Sequence, residues 1–546
     1  MSTKGLVATV FAASTPALVF GYYLAIICST AYAPEEVTRS PWEYLPETRV
    51  AWMYYIELGA IIYGGLGLVN FTKYFGPLAS IAIADASFIL LVPLLVVYMG
   101  NLPHHDMKEL FVGLLSIGAA GGASVVFLTI YISEISPSKI RGALVSTIFL
   151  QIAVGQILYH LLKLLSSSSH LHLEEVETWH WRLAIVLPII HLAFLIGGAL
   201  PESPRWLYRK GHSEKAKEAL ILLRSSNEVS SEVKFMELSL MEEAEEDKGQ
   251  REKEKQLESR NCYPFSTPWY MVPSRRIVAG YGLFVAQQFV GLNMIMHYSY
   301  TIFHLTTNRY SRKTEIGNSE TIINTTSALE IPLIMSTLVL VGTLICTTLV
   351  DRFGRRRLLL ISISGIISSL GLLSCLFHIG INCAGGLKLL FSNTGVVDDN
   401  RLFWYNIDEE MASSMGLLAL AALAVYMISY SLGVGTVPWI INSEIYPMKY
   451  RFVCVIMGNV VYWMAKLLVE VFFLDKLGKF FSVADMLFLL FSFSWVVGFF
   501  IYFYIPETKG LQLDNVDKVL LLQEKHMKYN ASKQGQESSE ELKVLL

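Results

Sequence analysis

Runs of about twenty mostly apolar residues, the length that crosses about 30 Å of hydrocarbon, recur twelve times along this chain. They lie near 6–28, 50–70, 78–100, 109–132, 142–165, 182–200, 277–304, 330–350, 358–379, 413–437, 452–474 and 484–505, and are called spans 1 to 12 below. In lipid each segment must satisfy its own backbone polar groups, so these runs are expected to be helices. Composition agrees. Of 546 residues, 53% are hydrophobic and only 16% charged, too few ions to cover a soluble surface of that size. Glycines and prolines interrupt some runs, as in Gly433-Val-Gly-Thr-Val-Pro438. Such breaks are tolerated where neighbouring helices or a wet cavity satisfy the freed backbone groups.

The longest polar interruption, 201–276, carries both charge signs and divides the spans six and six. The expected organisation is a six-helix bundle over 1–200, a charged helical linker over 201–276, a second bundle over 277–510 and a tail over 511–546. Basic residues gather after spans 4, 8 and 10: Lys139 and Arg141; Arg352, Arg355, Arg356 and Arg357; Lys449 and Arg451. Short cationic loops stay cytoplasmic. Both termini and the linker are therefore expected inside, and the Asn324-Thr-Thr326 sequon on the opposite side is a candidate glycosylation site. The six cysteines show no paired spacing and the net charge is −3. No metal site, disulfide framework, cofactor or nucleic-acid partner is expected.

The two halves echo each other. Span 4 ends in Glu134 with Arg141 seven residues on, and span 10 ends in Glu444 with Arg451 seven residues on. Pro201-Glu202-Ser203-Pro204-Arg205 follows span 6, and Pro506-Glu507-Thr508-Lys509-Gly510 follows span 12. Parallel repeats about an axis along the membrane normal build two-half carriers. Charges at matching helix ends can hold the halves together in one state and release them in another. A single pair would only mark a helix end; four in register are hard to obtain by chance.

These pieces, with Gln287-Gln-Phe-Val-Gly-Leu-Asn293, Asp351-Arg-Phe-Gly-Arg-Arg356 and Pro438-Trp-Ile-Ile-Asn-Ser-Glu-Ile-Tyr-Pro447, carry a resemblance. The chain resembles the sugar porter family of the major facilitator superfamily, and Asn442 to Pro447 and Gly510-Leu-Gln512 look most like the inositol transporters of plants and animals. The resemblance implies an all-α polytopic membrane protein of twelve helices in two pseudo-symmetric bundles, the major facilitator fold. It also implies transport of inositol or a related sugar or polyol, and no enzymatic activity.

Hydroxyls around a weakly apolar ring call for uncharged donors and acceptors and an aromatic platform. Span 7 offers Gln287, Gln288, Asn293 and Tyr298; by resemblance, the first three match substrate ligands. Gln156 is a further ligand position by resemblance, Trp439 the stacking platform and Trp463 a second aromatic wall. A gating network is expected from Glu134, Arg141, Glu202, Arg205, Asp351, Arg352, Arg355, Arg356, Glu444, Arg451 and Glu507.

The pattern also breaks. Proton-coupled relatives carry Asp in span 1 where this chain reads Gly21-Tyr22-Tyr23, and a phenol does not titrate near neutral pH. The loop after span 2 reads Lys73-Tyr-Phe-Gly-Pro77-Leu78 where relatives have Asp-x-x-Gly-Arg-Arg. Either an Asp–Arg pair has become Lys73–Glu109, or both charges were lost independently. Family asparagines become Val339, Tyr462 and Lys466. A lysine at membrane depth is costly. Glu470, at i+4, can neutralise it, or Lys466 lines the cavity and changes what binds. Transport is thus expected to be facilitative or coupled to protons through another acid, Glu134 or Glu470. The alternative is a transport-deficient solute sensor or scaffold. The membrane, plasma or vacuolar and endomembrane, is left open.

Overall fold

The computed structural model describes residues 3–31, 56–61, 75–100, 107–168, 173–197, 200–224, 229–238, 241, 274–296, 299, 320–383, 409–476 and 482–510. Among them every regular element is helical. Eight helices among the described residues are long and apolar enough to cross a membrane, or nine if the bent pair Gly5–Ala13 and Thr15–Ile26 counts as one. The eight are spans 4, 5 and 7 to 12. Spans 3 and 6 contribute shorter apolar helices, Pro77–Leu90 and Val186–Ile196. Span 2 is described only as a helical stretch over 56–61.

The helices depart from uniform rods at particular residues. Span 1 is split into Thr3–Ala13 and Thr15–Ala31, with a 41° bend. Pro16 at the start of the second piece has no N–H to continue the ladder. Span 7 runs Ser274–Phe289 and breaks at Gly291, whose φ of +83° only glycine adopts without strain. A helical stub over 292–296 follows. Span 10 runs Glu409–Leu432, turns over 433–436 and resumes as Val437–Glu444, as the Gly/Pro run predicts. Span 11, Met448–Glu470, ends in a π turn. Span 8 is longer than its apolar run, Glu320–Phe353, because polar helical turns precede the hydrocarbon segment.

The burial pattern is that of a protein in lipid. Leu90, Ile196, Leu468, Val496 and Phe503 are all exposed, while Glu57, Asp85, Arg355, Glu444 and Glu470 are buried. Span 4 sits innermost, 94% of its apolar window being covered; its Gly118-Ala-Ala-Gly-Gly-Ala123 run lets neighbours approach closely. The halves meet where span 5 packs on span 8, where Val437–Glu444 lies on spans 4 and 5, and where span 11 touches span 4. Beneath span 4 the linker supplies Pro204–Arg209 and Ser213–Leu223. Arg224 pins it by donating to Ile135 O at 2.8 Å and to Glu232 at 2.9 Å.

Candidate functional site

At the basic-loop end, the C-terminal half builds a closed ionic cluster. Gly354, with φ +93°, turns the chain between spans 8 and 9. The buried Arg355 guanidinium then lies 2.9 Å from both Asp351 and Glu444. Glu507, arriving after span 12, accepts from the Arg355 and Arg356 N–H groups at 2.9 and 3.1 Å. A carboxylate there satisfies orphan donors of the first helical turn and meets the positive end of the helix dipole. Thr508 donates its hydroxyl to Glu444 at 2.6 Å. Arg356 reaches Tyr502 O. Arg352 is exposed and joins through its carbonyl, which accepts from Lys509.

The N-terminal half repeats the frame with different charges. Gly76, φ +95°, matches Gly354. Glu202 matches Glu507 and accepts from Leu78 N–H at 3.2 Å and Ser203 N–H at 3.0 Å. Ser203 donates to Glu134 as Thr508 does to Glu444. The position of Arg355, however, is Pro77, which supplies neither a guanidinium nor an N–H. Burial pushes the Glu202 carboxyl up to about 7, the neighbouring Glu134 charge adding to the rise although two backbone donors oppose it.

The halves are joined at this end. Asp351 accepts from Gly142 and Ala143 N–H at 3.2 and 2.7 Å, capping span 5 from the other half. Arg141 lies 3.8 Å from Glu444, and Ser146 donates to Thr347 at 2.8 Å. Two predicted members are placed otherwise: Arg205 lies 3.9 Å from linker Glu232, and Arg451 donates to Tyr446 O at 3.2 Å. Lys73 and the Glu109 side chain lie outside the described residues.

Halfway along the seam, Gln287 donates to Tyr430 Oη at 3.1 Å and to Gly435 O at 3.0 Å, the carbonyl freed by the break in span 10. Its own Oε1 is buried without a donor among the described residues. Gln288 lies beside Tyr462. Trp439 is surrounded by Phe284, Tyr462 and, from the other half, Phe149, at centroid distances of 4.8, 5.0 and 5.7 Å. Trp463 meets Tyr462 at 5.2 Å and Phe20 of the N-terminal half at 6.5 Å. Gln156 is half-buried on span 5. Tyr298 lies outside the described residues, and Asn324 falls in the helix of span 8, its side chain outside them.

Asn293 leaves this group, because beyond Gly291 its amide donates to Glu470. Lys466 does have Glu470 nearby, at 3.6 Å, but its shorter contact is Glu57 of span 2, at 2.8 Å. Sequence reasoning missed Glu57, although a lone carboxylate in an apolar run was signal enough. It missed Asp85 of span 3, 2.6 Å from His191 of span 6, for the same reason. It missed Asn442 too, which binds Gly280 O at 3.0 Å and accepts from Tyr446 Oη at 2.7 Å, fixing span 10 to span 7.

A model of the family described as sugar (and other) transporter matches residues 8–520. Probable inositol transporter 2 of Arabidopsis thaliana is 31% identical, over 93% of this chain and 90% of its own. A proton myo-inositol cotransporter of Caenorhabditis elegans is 26% identical over 76% of this chain and 74% of its own. Among solved structures, the major facilitator superfamily proton:xylose symporter XylE bound to 6-bromo-6-deoxy-D-glucose superposes with a TM-score of 0.70. It is 21% identical, covering 95% of this chain and all of that one; XylE is an E. coli protein.

Proposed function

The chain belongs to the sugar (and other) transporter family, and from that premise we propose that it carries myo-inositol or a related polyol or sugar across a membrane by alternating access. The full-length match to an inositol transporter carries the reading. The chemistry of the seam supports it. Neutral carboxamides beside aromatic rings recognise hydroxyls without demanding charge. In this reading Gln287, Gln288 and Gln156 bind solute hydroxyls, the free Gln287 Oε1 accepting one. Trp439 and Trp463 form the platform, and Asn293 responds to solute from the far side of Gly291. The two six-helix halves rock about this level. The basic-loop end, with both termini and the linker, is cytoplasmic. Because that end is latched and the aromatic rings meet across the seam, the arrangement corresponds to a state shut toward the cytoplasm.

Full-length protein reconstituted into liposomes should take up labelled myo-inositol in preference to glucose or xylose. Gln287→Ala should raise the half-saturating concentration about tenfold, the effect of losing roughly 1.4 kcal/mol of hydrogen bonding. Solute binding without flux would favour a sensor instead.

A further inference from the structure

Span 2 places one carboxylate of the N-terminal half against a cation of the other half. Glu57 is fully buried, and Lys466 and Glu470 of span 11 are nearly so. The Lys466 ammonium lies 2.8 Å from Glu57 and 3.6 Å from Glu470, with the Trp463 ring 5.2 Å away. The two acids share that ammonium, and their charges act on each other. Nevertheless Oε2 of each has no donor among the described residues. Asn293 supplies its amide to Glu470 Oε1 only. Among the described residues, the other titratable groups facing the cluster are Tyr462 of span 11, Cys28 of span 1 and Tyr430 of span 10.

Two carboxylates around one ammonium leave one excess negative charge in a dry site. Such a charge is costly unless neutralised. One proton does this with least rearrangement, and it turns an acceptor left without a donor into a donor. The cluster also has a moving part. Lys466 and Glu470 share a helix, so when the halves separate they remain a neutral i,i+4 pair, while Glu57 leaves alone on span 2. Lys466 stands about 27 Å along span 11 from its first turn at the basic-loop end. Parting the halves on the far side of the seam therefore exposes Glu57 to water there. Asp85–His191 lacks this property, since both residues belong to the N-terminal half and are not divided by the seam.

We propose that Glu57, Lys466 and Glu470 form the proton site of this carrier, Glu57 taking up one proton from the far side as the halves close over it and releasing it to the basic-loop side once opening there wets the site. The proposal deepens the transport reading above and rests on it: a carboxylate on span 2 replaces the acid missing from span 1.

The test uses full-length protein in liposomes and has two arms. In the first, an imposed one-unit pH gradient drives labelled myo-inositol, one coupled proton permitting at most about tenfold accumulation. Wild type should accumulate several-fold. Glu57→Gln should reach a ratio near one, and Glu57→Asp should recover part of the difference. The second arm needs no solute. A pH-difference infrared spectrum should show a protonated-carboxyl band that disappears in Glu57→Gln and shifts in Glu57→Asp, which also serves if the Gln variant does not fold. Accumulation by Glu57→Gln equal to wild type, transport without proton movement, or an unchanged band in both variants overturns the proposal. If no polyol or sugar is moved, the transport reading fails while the infrared arm still decides the proton site.

Discussion

The two halves present the same scaffold at the basic-loop end with opposite electrostatics. In each, a left-handed glycine turns the chain, a glutamate from after the last helix of that half caps the next span, and a hydroxyl beside it holds the glutamate ending span 4 or span 10. The C-terminal copy has Arg355 at its centre, within 2.9 Å of two acids. The N-terminal copy has Pro77 there, and Ser203 joins two acids, its hydroxyl donating to Glu134 and its N–H to Glu202. A repeat can therefore keep its backbone geometry while its charges diverge. One half is locked by ion pairing; the other is left sensitive to protons.

Removing the centre of the charged copy should have the largest effect. Arg355→Ala leaves Asp351 and Glu444 without their guanidinium, and breaking a buried pair typically costs about 3–5 kcal/mol. Loss of folded protein by size-exclusion chromatography, or a large drop in melting temperature, is expected; wild-type stability would erase the contrast between the halves. The converse change restores the missing cation. Pro77→Arg should stabilise the N-terminal copy by about 1.5–3 kcal/mol, the usual range for hydrogen bonds to charged groups. A melting temperature unchanged or lowered would mean that Glu134 and Glu202 do not await a cation.

The next effect is one of pH. Glu202 has its carboxyl pushed up to about 7 from an ordinary 4.5, so the closed end binds a proton that the unfolded or opened chain gives up near 4.5. Its stability is accordingly greatest at low pH and is lost as pH rises through about 5 to 7. The melting temperature should fall as pH rises across that range in wild type and change less in Glu202→Gln. The smallest effect separates the hydroxyls. Ser203→Ala should cost more than Thr508→Ala, by about 1 kcal/mol, because Glu444 keeps Arg355 when Thr508 is lost and Glu134 has no equivalent cation among the described residues. Equal losses would show that the two copies do not differ in this way.

Much of this was written in local spacing. Apolar length gave the spans, the Gly433–Pro438 run gave the break in span 10, and the four matched motifs gave the paired end clusters. Lys466 and Glu470 were legible as neighbours because a helix repeats every 3.6 residues. Glu57 was not paired with them, since 409 positions separate it from Lys466 and nothing local records which spans touch. Asn293 was grouped with Gln287 as a ligand by resemblance, and the turn at Gly291 directs it to Glu470. The Ser203 and Thr508 hydroxyls were overlooked because each was read as part of a motif and not as a donor to a distant acid.

The cap formed by Glu507 has a consequence for biogenesis. Arg355 leaves the ribosome 152 residues before Glu507 does, which at about 5–20 residues per second is roughly 8–30 s. During that interval the first turn of span 9 lacks the carboxylate that accepts from its Arg355 and Arg356 N–H groups, orphan donors that nothing within the helix can satisfy. The start of span 9 is thus capped only after span 12 has been made, so this end of the C-terminal half is completed last.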